Sequence, residues 1–477
     1  MMHIEKGLVP FWDDYLIDVE KSDAVLSVNK PQKRDVVLVC DQPWEGNGTD
    51  FFTIINDDGL YRMYYEGWSL NDNPLRIVVC YAESTDGIHW VKPNLGIVEY
   101  NGSKNNNIII DKLPDNFTVM KDTNPNCPPE MKYKALMSVL DIDYSNGNRS
   151  NMLALLVSAD GIHFERHGII SKGYAYDTQN SLHFNRHTGK YYCYMRAYSK
   201  NDGDTDRFEE KSVRINMVME SEDLVNWSEA VPLKDNGELY PLYTNCVTAY
   251  PYDDRYYVGF PTRYVERKSW TKNYDRLGGV EKRKKRMPGH PRYGLAVTDC
   301  IFMSSRDNVN WYRFDEAIIT PDIEDGYNWV YGDCYPALGG LVETASPFKY
   351  APKELSMYVF NHHWMDVPVE LVRYTYRRDG FASVKAPYSA KKLITKPFTF
   401  DGSTLKLNFS TSARGGIFLR ILDESCNPIE GYSTCEIFGD SIDRIVDFDA
   451  DLKALQGKTV RFELTLSDAE IFSVTFE

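Results

Sequence analysis

The sequence predicts an all-β protein, a five-bladed β-propeller followed by a C-terminal β-sandwich, and three observations support this prediction. A short motif that pairs an acidic residue with an aromatic residue recurs five times, at intervals of 63 to 84 residues. Tyrosine-rich strands of alternating polarity surround each copy, which is the pattern of antiparallel blades. We find no sustained 3.6-residue hydrophobic periodicity of the kind that long helices show.

The recurring motif, which we call the Asp box, consists of a small or polar residue, an acidic residue, a turn and an aromatic residue. An Asp side chain in such a turn accepts hydrogen bonds from nearby backbone N–H groups, and Gly supplies a positive φ. The copies are ESTDGIHW (83–90), VSADGIHF (157–164), ESEDLVNW (220–227), SSRDNVNW (304–311) and a degenerate YRRDGFAS (376–383). We predict that these turns are structural and that their aromatic residues wedge between neighbouring sheets.

A tyrosine-rich strand precedes each Asp box, and a shorter strand precedes it in turn. The tyrosine-rich strands are LYRMYYEG (60–67), KYKALMSV (132–139), KYYCYMRA (190–197), RYYVGFPT (255–262) and SMYVFNHH (356–363). Together with the strand that leads into the Asp box and the short aromatic strand that follows its turn, each unit contains four antiparallel strands, which is the composition of a propeller blade.

Two departures from the repeat define the domain organisation. The repeat ends near residue 387, so we predict a propeller over 1–387 and a β-sandwich over 388–477, where short alternating strands continue. An insertion at 263–292 in the fourth blade carries 11 basic and 3 acidic residues. Four interpretations of this insertion stay open: a solvated mobile loop, a lid over the funnel, a contact for an anionic substrate group, and an oligomer contact.

Charge and cysteine content narrow the class of partner. The net charge of −15 argues against nucleic acid and anionic membranes as partners, and no run of 18 apolar residues predicts a membrane span. The nine Cys residues include no C-x-x-C pair, which favours reduced thiols.

The N-terminus has no apolar leader region, which predicts a cytoplasmic protein if this is the native start. If a leader has been removed, the protein is periplasmic or secreted. The oligomeric state stays open.

The arrangement resembles the five-bladed glycoside hydrolases. The order of propeller and sandwich is most similar to family 32, the invertases and fructan hydrolases, with a further likeness to family 43. The segments YRMYYEGW (61–68), YAESTDGIHW (81–90), YDTQN (176–180) and YTN (243–245) are also similar to an uncharacterised invertase-like group. The family-32 motifs N-D-P-N-G and E-C are absent. The resemblance implies a glycosidase that acts on a furanoside or another oligosaccharide.

Such enzymes place two carboxyl groups on either side of the scissile bond. Acidic residues just before the innermost strand of a blade are the ones that can meet in the funnel. The resemblance implies that Asp50 is the nucleophile or base, Asp177 stabilises the transition state and Glu238 is the general acid. Asp122 and Asp333 are alternative acids at the second and fifth blades.

Aromatic, amide and cationic side chains near these acids are candidates for binding the sugar. Aromatic faces stack on sugar rings, and Arg contacts hydroxyls or carboxylates. The candidates are Trp44, Trp68, Gln179, Asn180, Arg196, Arg263, Trp329, His362 and His363. Because adjacent residues on a strand point to opposite faces, His362 and His363 do not predict a metal site. No cofactor is expected, and a structural ion in the central channel stays open.

Two alternatives to hydrolysis stay open. The missing family-32 motif favours a carbohydrate-binding propeller without catalysis. The basic insertion at 263–292 favours a glycoside phosphorylase, in which basic side chains contact phosphate. The sequence leaves the sugar, the linkage and the stereochemical outcome undetermined.

Overall fold

The structure is a computed structural model that describes residues 2–72, 75–111, 114–143, 148–199 and 213–477. The chain forms two compact units. One unit is Gln32–Thr375, and the other combines Met1–Pro31 with Tyr376–Glu477. Three short strands begin the second unit: β1 (Met2–Ile4), β2 (Gly7–Pro10) and β3 (Val25–Val28).

The unit Gln32–Thr375 is a five-bladed β-propeller, as predicted, and its first three blades are four-stranded antiparallel sheets. It begins with β4 (Gln32–Cys40). Blade one contains β5 (Asp50–Asp57), β6 (Leu60–Trp68), β7 (Ile77–Ser84) and β8 (Ile108–Ile110). Blade two contains β9 (Asp115–Lys121), β10 (Tyr133–Asp143), β11 (Asn148–Ser158) and β12 (Glu165–Lys172), with a 3₁₀ turn at Pro129–Met131. Blade three contains β13 (Ser181–Asn185), β14 (Lys190–Tyr198), β15 (Arg214–Ser221) and β16 (Val231–Pro232).

Blade four has five strands and carries the basic insertion. Its strands are β17 (Lys234–Asp235), β18 (Thr248–Ala249), β19 (Tyr257–Gly259), β22 (Met303–Ser305) and β23 (Asn310–Arg313). Strands β20 (Thr262–Glu266) and β21 (Ala296–Cys300) form a separate pair. The helices α1 (Val280–Arg286) and α2 (Arg292–Leu295) lie between β20 and β21 along the chain. The insertion therefore has regular structure.

Blade five closes the ring with a strand from the other end of the propeller. Its own strands are β24 (Tyr335–Pro336), β25 (Val342–Thr344), β26 (Glu354–Asn361) and β27 (Val369–Tyr376). The outermost strand is β4, which pairs antiparallel with β27. On the inner side, the Ile54 N–H donates to the Leu338 carbonyl at 2.8 Å. Closure of this kind removes exposed strand edges.

The Asp-box segments form the same turn in four blades. The Ser84 hydroxyl accepts hydrogen bonds from the backbone of Asp86 and Gly87, and one Asp86 oxygen accepts from the backbone of Ile88 and His89. The pairs Ser158–Asp160, Ser221–Asp223 and Ser305–Asp307 repeat this pattern. In blade two, Phe164 packs edge-on against Tyr64 of blade one. These residues therefore brace neighbouring blades.

The second unit is built on two long antiparallel strands, β31 (Leu405–Asp423) and β34 (Val460–Phe476). Its other C-terminal strands are β28 (Ala382–Ala386), β29 (Lys391–Ile394), β30 (Phe398–Phe400), β32 (Pro428–Ser433) and β33 (Asp440–Ile445), with a 3₁₀ turn at Leu452–Leu455. The sheet has ten strands because β1, β2 and β3 pair with β30, β34 and β28. The predicted two-layer sandwich stays a prediction.

The division between the units differs from the predicted boundary at 387/388. Residues 1–31 belong with the C-terminal unit because their strands are hydrogen-bonded to it. The degenerate fifth Asp box also lies there, where Asp379 is buried and accepts hydrogen bonds from Ser473 and Asn408. Among the described residues, every helix is too short or too polar to cross a membrane.

Candidate functional site

Three carboxylates lie at, or just before, the start of an innermost strand. Asp50 begins β5, Asp115 begins β9 and Asp333 lies two residues before β24. The residue after each carboxylate has a positive φ: Phe51 (49°), Asn116 (57°) and Cys334 (65°). Strand registers shift beside Asp50 and Asp115, which is the signature of a β-bulge. Such backbone costs about 1–3 kcal/mol at a non-glycine residue and concentrates at functional sites.

We call the end of the propeller at which the innermost strands β5 and β9 begin the mouth. Asp50 is buried there. Burial raises the pKa of its carboxyl well above the ordinary value, and the charges of Asp115 and Asp177 raise it further. A hydrogen bond from Trp68 Nε1 to Asp50 Oδ1, at 3.3 Å, acts in the opposite direction. Gly48 permits this approach, because a Cβ there would lie 2.5 Å from the Trp68 ring. Asp50 therefore favours the protonated form.

Glu66 connects this acid to the next blade. It is the direct β-ladder partner of Asp50, and its Oε1 accepts a hydrogen bond from the Phe117 N–H at 2.7 Å. Burial raises the pKa of Glu66 well above the ordinary value, and the charges of Asp50 and Asp115 add to the effect. The backbone that follows Asp115 is thus held by a side chain of blade one.

Asp115 and Glu66 are not among the acids predicted from the sequence, although Asp115 has a recognisable sequence signal. Asp115 belongs to DNFT (115–118), which matches DFFT (50–53) at the start of blade one. The repeated Asp-x-Phe-Thr pattern identifies the equivalent position in both blades. Glu66 has no such signal, because its role depends on a contact with β9, about 50 residues later in the chain.

Asp177 brings a third blade to the site. It lies in the segment before β13, and its side chain is 53% exposed. Its Oδ2 lies 3.4 Å from Nη2 of Arg196, which is buried on β14. The charge of Asp177 acts on Asp50, as does the charge of Asp115, so acids from blades two and three lie close enough to affect the acid of blade one.

An aromatic wall lies beside the carboxylates. The Trp68 ring contacts His363 and Trp364 edge-on, with centroids 6.0 and 5.9 Å apart. Burial lowers the pKa of His363 to about 3, so this ring is neutral. The His363 backbone N–H donates to Asp333 Oδ1 at 3.0 Å, and burial raises the pKa of Asp333 well above the ordinary value. Asp333 therefore positions the loop that contains His363 and Trp364.

Two arginines of the basic insertion form hydrogen bonds to the loops that contain Trp329 and Trp364. Arg283 on α1 is buried and donates hydrogen bonds to the carbonyls of Gly294 and Trp329. Arg286 donates to the carbonyl of Trp364, and burial lowers its pKa to about 10. Trp329 and Trp364 both have a positive φ, of 62° and 63°. These two arginines therefore stabilise the loops through hydrogen bonds to backbone carbonyls.

Two acids predicted from the sequence lie elsewhere. Asp122 follows β9 at the end opposite Asp115, about 23 Å along an extended strand. It is buried against Lys134, and the Tyr191 hydroxyl donates to it at 2.8 Å. Glu238 is exposed after β17, the outermost strand of blade four, and its carbonyl accepts from Arg313 at 2.6 Å. The innermost strand of that blade, β18, begins ten residues later.

Most of the side chains predicted to bind the sugar form polar contacts with other residues of the protein. Trp44 donates to Asn107 at 2.8 Å, Gln179 to the Phe52 carbonyl at 2.7 Å, Asn180 to the Tyr176 carbonyl at 3.0 Å, Arg263 to both oxygens of Asp299 at 2.6 Å, and His362 contacts Asp325 at 3.1 Å. Trp68 and Arg196 do lie beside the carboxylates. Within the described ranges, no three His, Cys, Asp or Glu side chains are grouped to hold a metal ion.

Comparisons with known proteins give a likeness of architecture. No family model matches the chain. Two uncharacterized proteins of Mycobacterium tuberculosis are 38% identical over 55 residues, which is 11% of this chain and only 18% of each relative.

Three solved structures illustrate the likeness. An N-acetylgalactosamine deacetylase from F. plautii has a TM-score of 0.42 and 12% identity, covering 91% of this chain and 99% of that one. A thermostable family-43 glycoside hydrolase has values of 0.41 and 14%, covering 71% and 93%. Sucrose-6-phosphate hydrolase from Lactobacillus gasseri has values of 0.41 and 11%, covering 94% and 93%.

Proposed function

We propose that the protein is a glycosidase that hydrolyses a furanoside or another oligosaccharide at the propeller mouth. The observation that carries this proposal is that buried Asp50 of blade one lies within electrostatic reach of Asp115 and Asp177, which come from the next two blades. Glycoside hydrolysis needs one protonated and one ionised carboxyl group beside the scissile bond. Trp68 supplies an aromatic ring next to Asp50, suited to a sugar face.

We assign the general acid to Asp50. Burial raises the pKa of the Asp50 carboxyl group, so it holds its proton more tightly than an ordinary carboxyl group and can donate it to the leaving oxygen. The negative charge of Asp115 supports this protonated state. The assignment differs from the nucleophile or base that the resemblance implies for Asp50, because a protonated carboxyl is a poor nucleophile.

Asp177 is the partner carboxylate in this proposal. It is accessible to water and lies beside the Arg196 guanidinium. In hydrolysis, the Asp50 proton passes to the glycosidic oxygen as the bond between that oxygen and the anomeric carbon breaks. Asp177 either removes a proton from the incoming water or attacks the anomeric carbon first, and both routes consume one water and yield two hydroxyl groups.

Three matched amide variants test the assignment on a panel of furanoside, pyranoside and oligosaccharide substrates. We expect Asp50→Asn and Asp177→Asn to lose about 10²–10⁴-fold in kcat while retaining wild-type circular dichroism. Glu238→Gln should keep wild-type activity because Glu238 is exposed beyond an outer strand.

The opposite pattern, an inactive Glu238→Gln beside an active Asp50→Asn, would contradict the assignment and restore the acid that the resemblance implies. Wild-type protein that binds members of the panel but turns none over would instead identify a carbohydrate-binding propeller.

A further inference from the structure

The proposed hydrolysis leaves unused a buried cationic cluster at the same mouth. Arg196 on β14 and Arg214 on β15 are diagonal neighbours, since Arg214 pairs with Tyr198 in the ladder. The Arg196 Cζ lies 4.6 Å from the Tyr243 ring centroid. The Arg214 Cζ lies 5.8 Å from the same ring and 4.5 Å from that of Tyr264. Two guanidinium groups therefore share one aromatic platform.

Both cations are buried more thoroughly than the carboxylates that face them. The side chains of Arg196 and Arg214 are 2% and 9% exposed. Their ionic partners within the described residues, Asp177 and Glu266, lie at 3.4 and 3.5 Å and are 53% and 42% exposed. Close charge-assisted hydrogen bonds measure about 2.8 Å. Because buried charges need compensation, these long pairs leave both cations incompletely compensated.

Four buried polar atoms around the platform have no hydrogen-bond partner among the described residues. They are Arg196 Nη1, Arg214 Nε and the hydroxyls of Tyr264 and Tyr335. The ring centroids of Tyr264 and Tyr335 both lie 5.5 Å from that of Tyr243. Buried polar groups are nearly always hydrogen-bonded, so a concentration of unmatched donors indicates a missing acceptor.

We infer that Arg196, Arg214, Tyr264 and Tyr335 form a subsite for an oxyanion, a phosphate or carboxylate group, beside the catalytic carboxylates. The guanidinium fork matches the oxygens of phosphate and carboxylate, whereas neutral sugar hydroxyls do not compensate two buried cations. The Tyr335 ring lies 6.4 Å from that of Phe51, the residue after Asp50. This inference rests on the proposed function for its position beside the bond to be cleaved.

The oxyanion has two possible sources. It is either a substituent of the sugar, as in a sugar phosphate or a uronic acid, or free inorganic phosphate bound beside a neutral sugar. Titration calorimetry of the full chain with inorganic phosphate, glucose 6-phosphate, glucuronate and glucose distinguishes them. Tighter binding of the anionic sugars assigns the anion to the substrate, and tighter binding of inorganic phosphate assigns it to a second ligand.

Arg214→Gln should weaken binding of the anionic probe at least tenfold, and Arg214→Lys should recover part of the loss. Arg186→Gln is the matched control, because Arg186 belongs to the same blade, has a side chain that is 66% exposed, and loses the same charge. Wild-type protein that binds none of the three anionic probes would overturn the inference, as would equal losses in Arg214→Gln and Arg186→Gln.

The same titrations separate this inference from the glycosidase proposal. Asp50→Asn should retain oxyanion binding although it loses turnover. Catalysis without oxyanion binding leaves the glycosidase standing and removes the subsite. Oxyanion binding by a protein that cleaves no glycoside supports the subsite and removes the glycosidase.

Discussion

The two ends of the innermost strands in blades one and two carry the same residue type in opposite surroundings. Asp50 and Asp115 begin β5 and β9, whereas Asp57 ends β5 and Asp122 follows β9. At the far end, Asp57 forms ion pairs with Arg62 and Lys121 at 2.8 and 3.1 Å, and Asp122 is paired with Lys134. At the mouth, Asp50 faces other acids.

The comparison shows how surroundings decide the state of a carboxyl group. Burial acts to raise the pKa of Asp57, but hydrogen bonds from Tyr133 and Lys121 and the charge of Arg62 lower it well below the ordinary value. For Asp50, burial and neighbouring acids act in the same direction. The far end is thus arranged for stability, while the mouth keeps perturbed groups of the kind that cluster at functional sites.

Neutralising one acid at each end gives the largest expected contrast. Asp122→Asn should lower the free energy of unfolding by about 3 kcal/mol, because it leaves the buried Lys134 without its carboxylate. Asp50→Asn should leave stability unchanged or raise it, since it removes an acid from among acids. Urea unfolding at pH 7 measures both, and equal losses would show that the two ends are electrostatically alike.

The pH dependence of stability should differ between the ends as well. An acid whose folded pKa is raised contributes stability at low pH, and this is lost as pH rises from about 4 toward the folded pKa, by about 1.4 kcal/mol for each pH unit in that interval. Asp50 and Glu66 belong to this class. Asp57, with a lowered pKa, contributes stability that is lost as pH falls below about 4.

The double variant Asp50→Asn/Glu66→Gln should therefore lose the decline in stability above pH 4 and keep the decline at acidic pH. Unfolding free energies measured from pH 3 to pH 8 test this. A double variant whose profile parallels that of the wild type throughout would show that neither acid titrates abnormally.

The smallest effect is expected midway along the strands. The Thr118 hydroxyl of blade two donates to the Asn180 carbonyl of blade three at 2.6 Å. Thr118→Val should cost about 1 kcal/mol in unfolding free energy without changing activity. Thr53 is the matched control at the equivalent position of blade one, because its buried hydroxyl has no partner among the described residues. Thr53→Val should be neutral, and a cost equal to that of Thr118→Val would argue against the inter-blade bond.

Much of the architecture could be predicted because its signals are local. The Asp-box turn is held by hydrogen bonds between residues two or three positions apart, and its regular spacing predicted the blades. Four copies lie in blades one to four, whereas the degenerate fifth copy lies in the other unit. The arrangement of the candidate site could be predicted only in part, and the roles of its residues stay predictions. Asp50 and Asp177 follow from their place before an innermost strand, whereas Glu238 precedes a loop whose length hides where that strand begins.

The sequence by itself determined the blade repeat, the turn chemistry and the concentration of acids near strand ends, because these depend on neighbours a few residues away. Only the tertiary structure decided that Asp115 rather than Asp122 lies at the mouth, that Glu66 binds the backbone of the next blade, and that β4 closes the ring. Burial and charge at each carboxyl group arise from atoms distant in the chain. The protonation states on which the proposed chemistry depends are therefore a property of the folded ring.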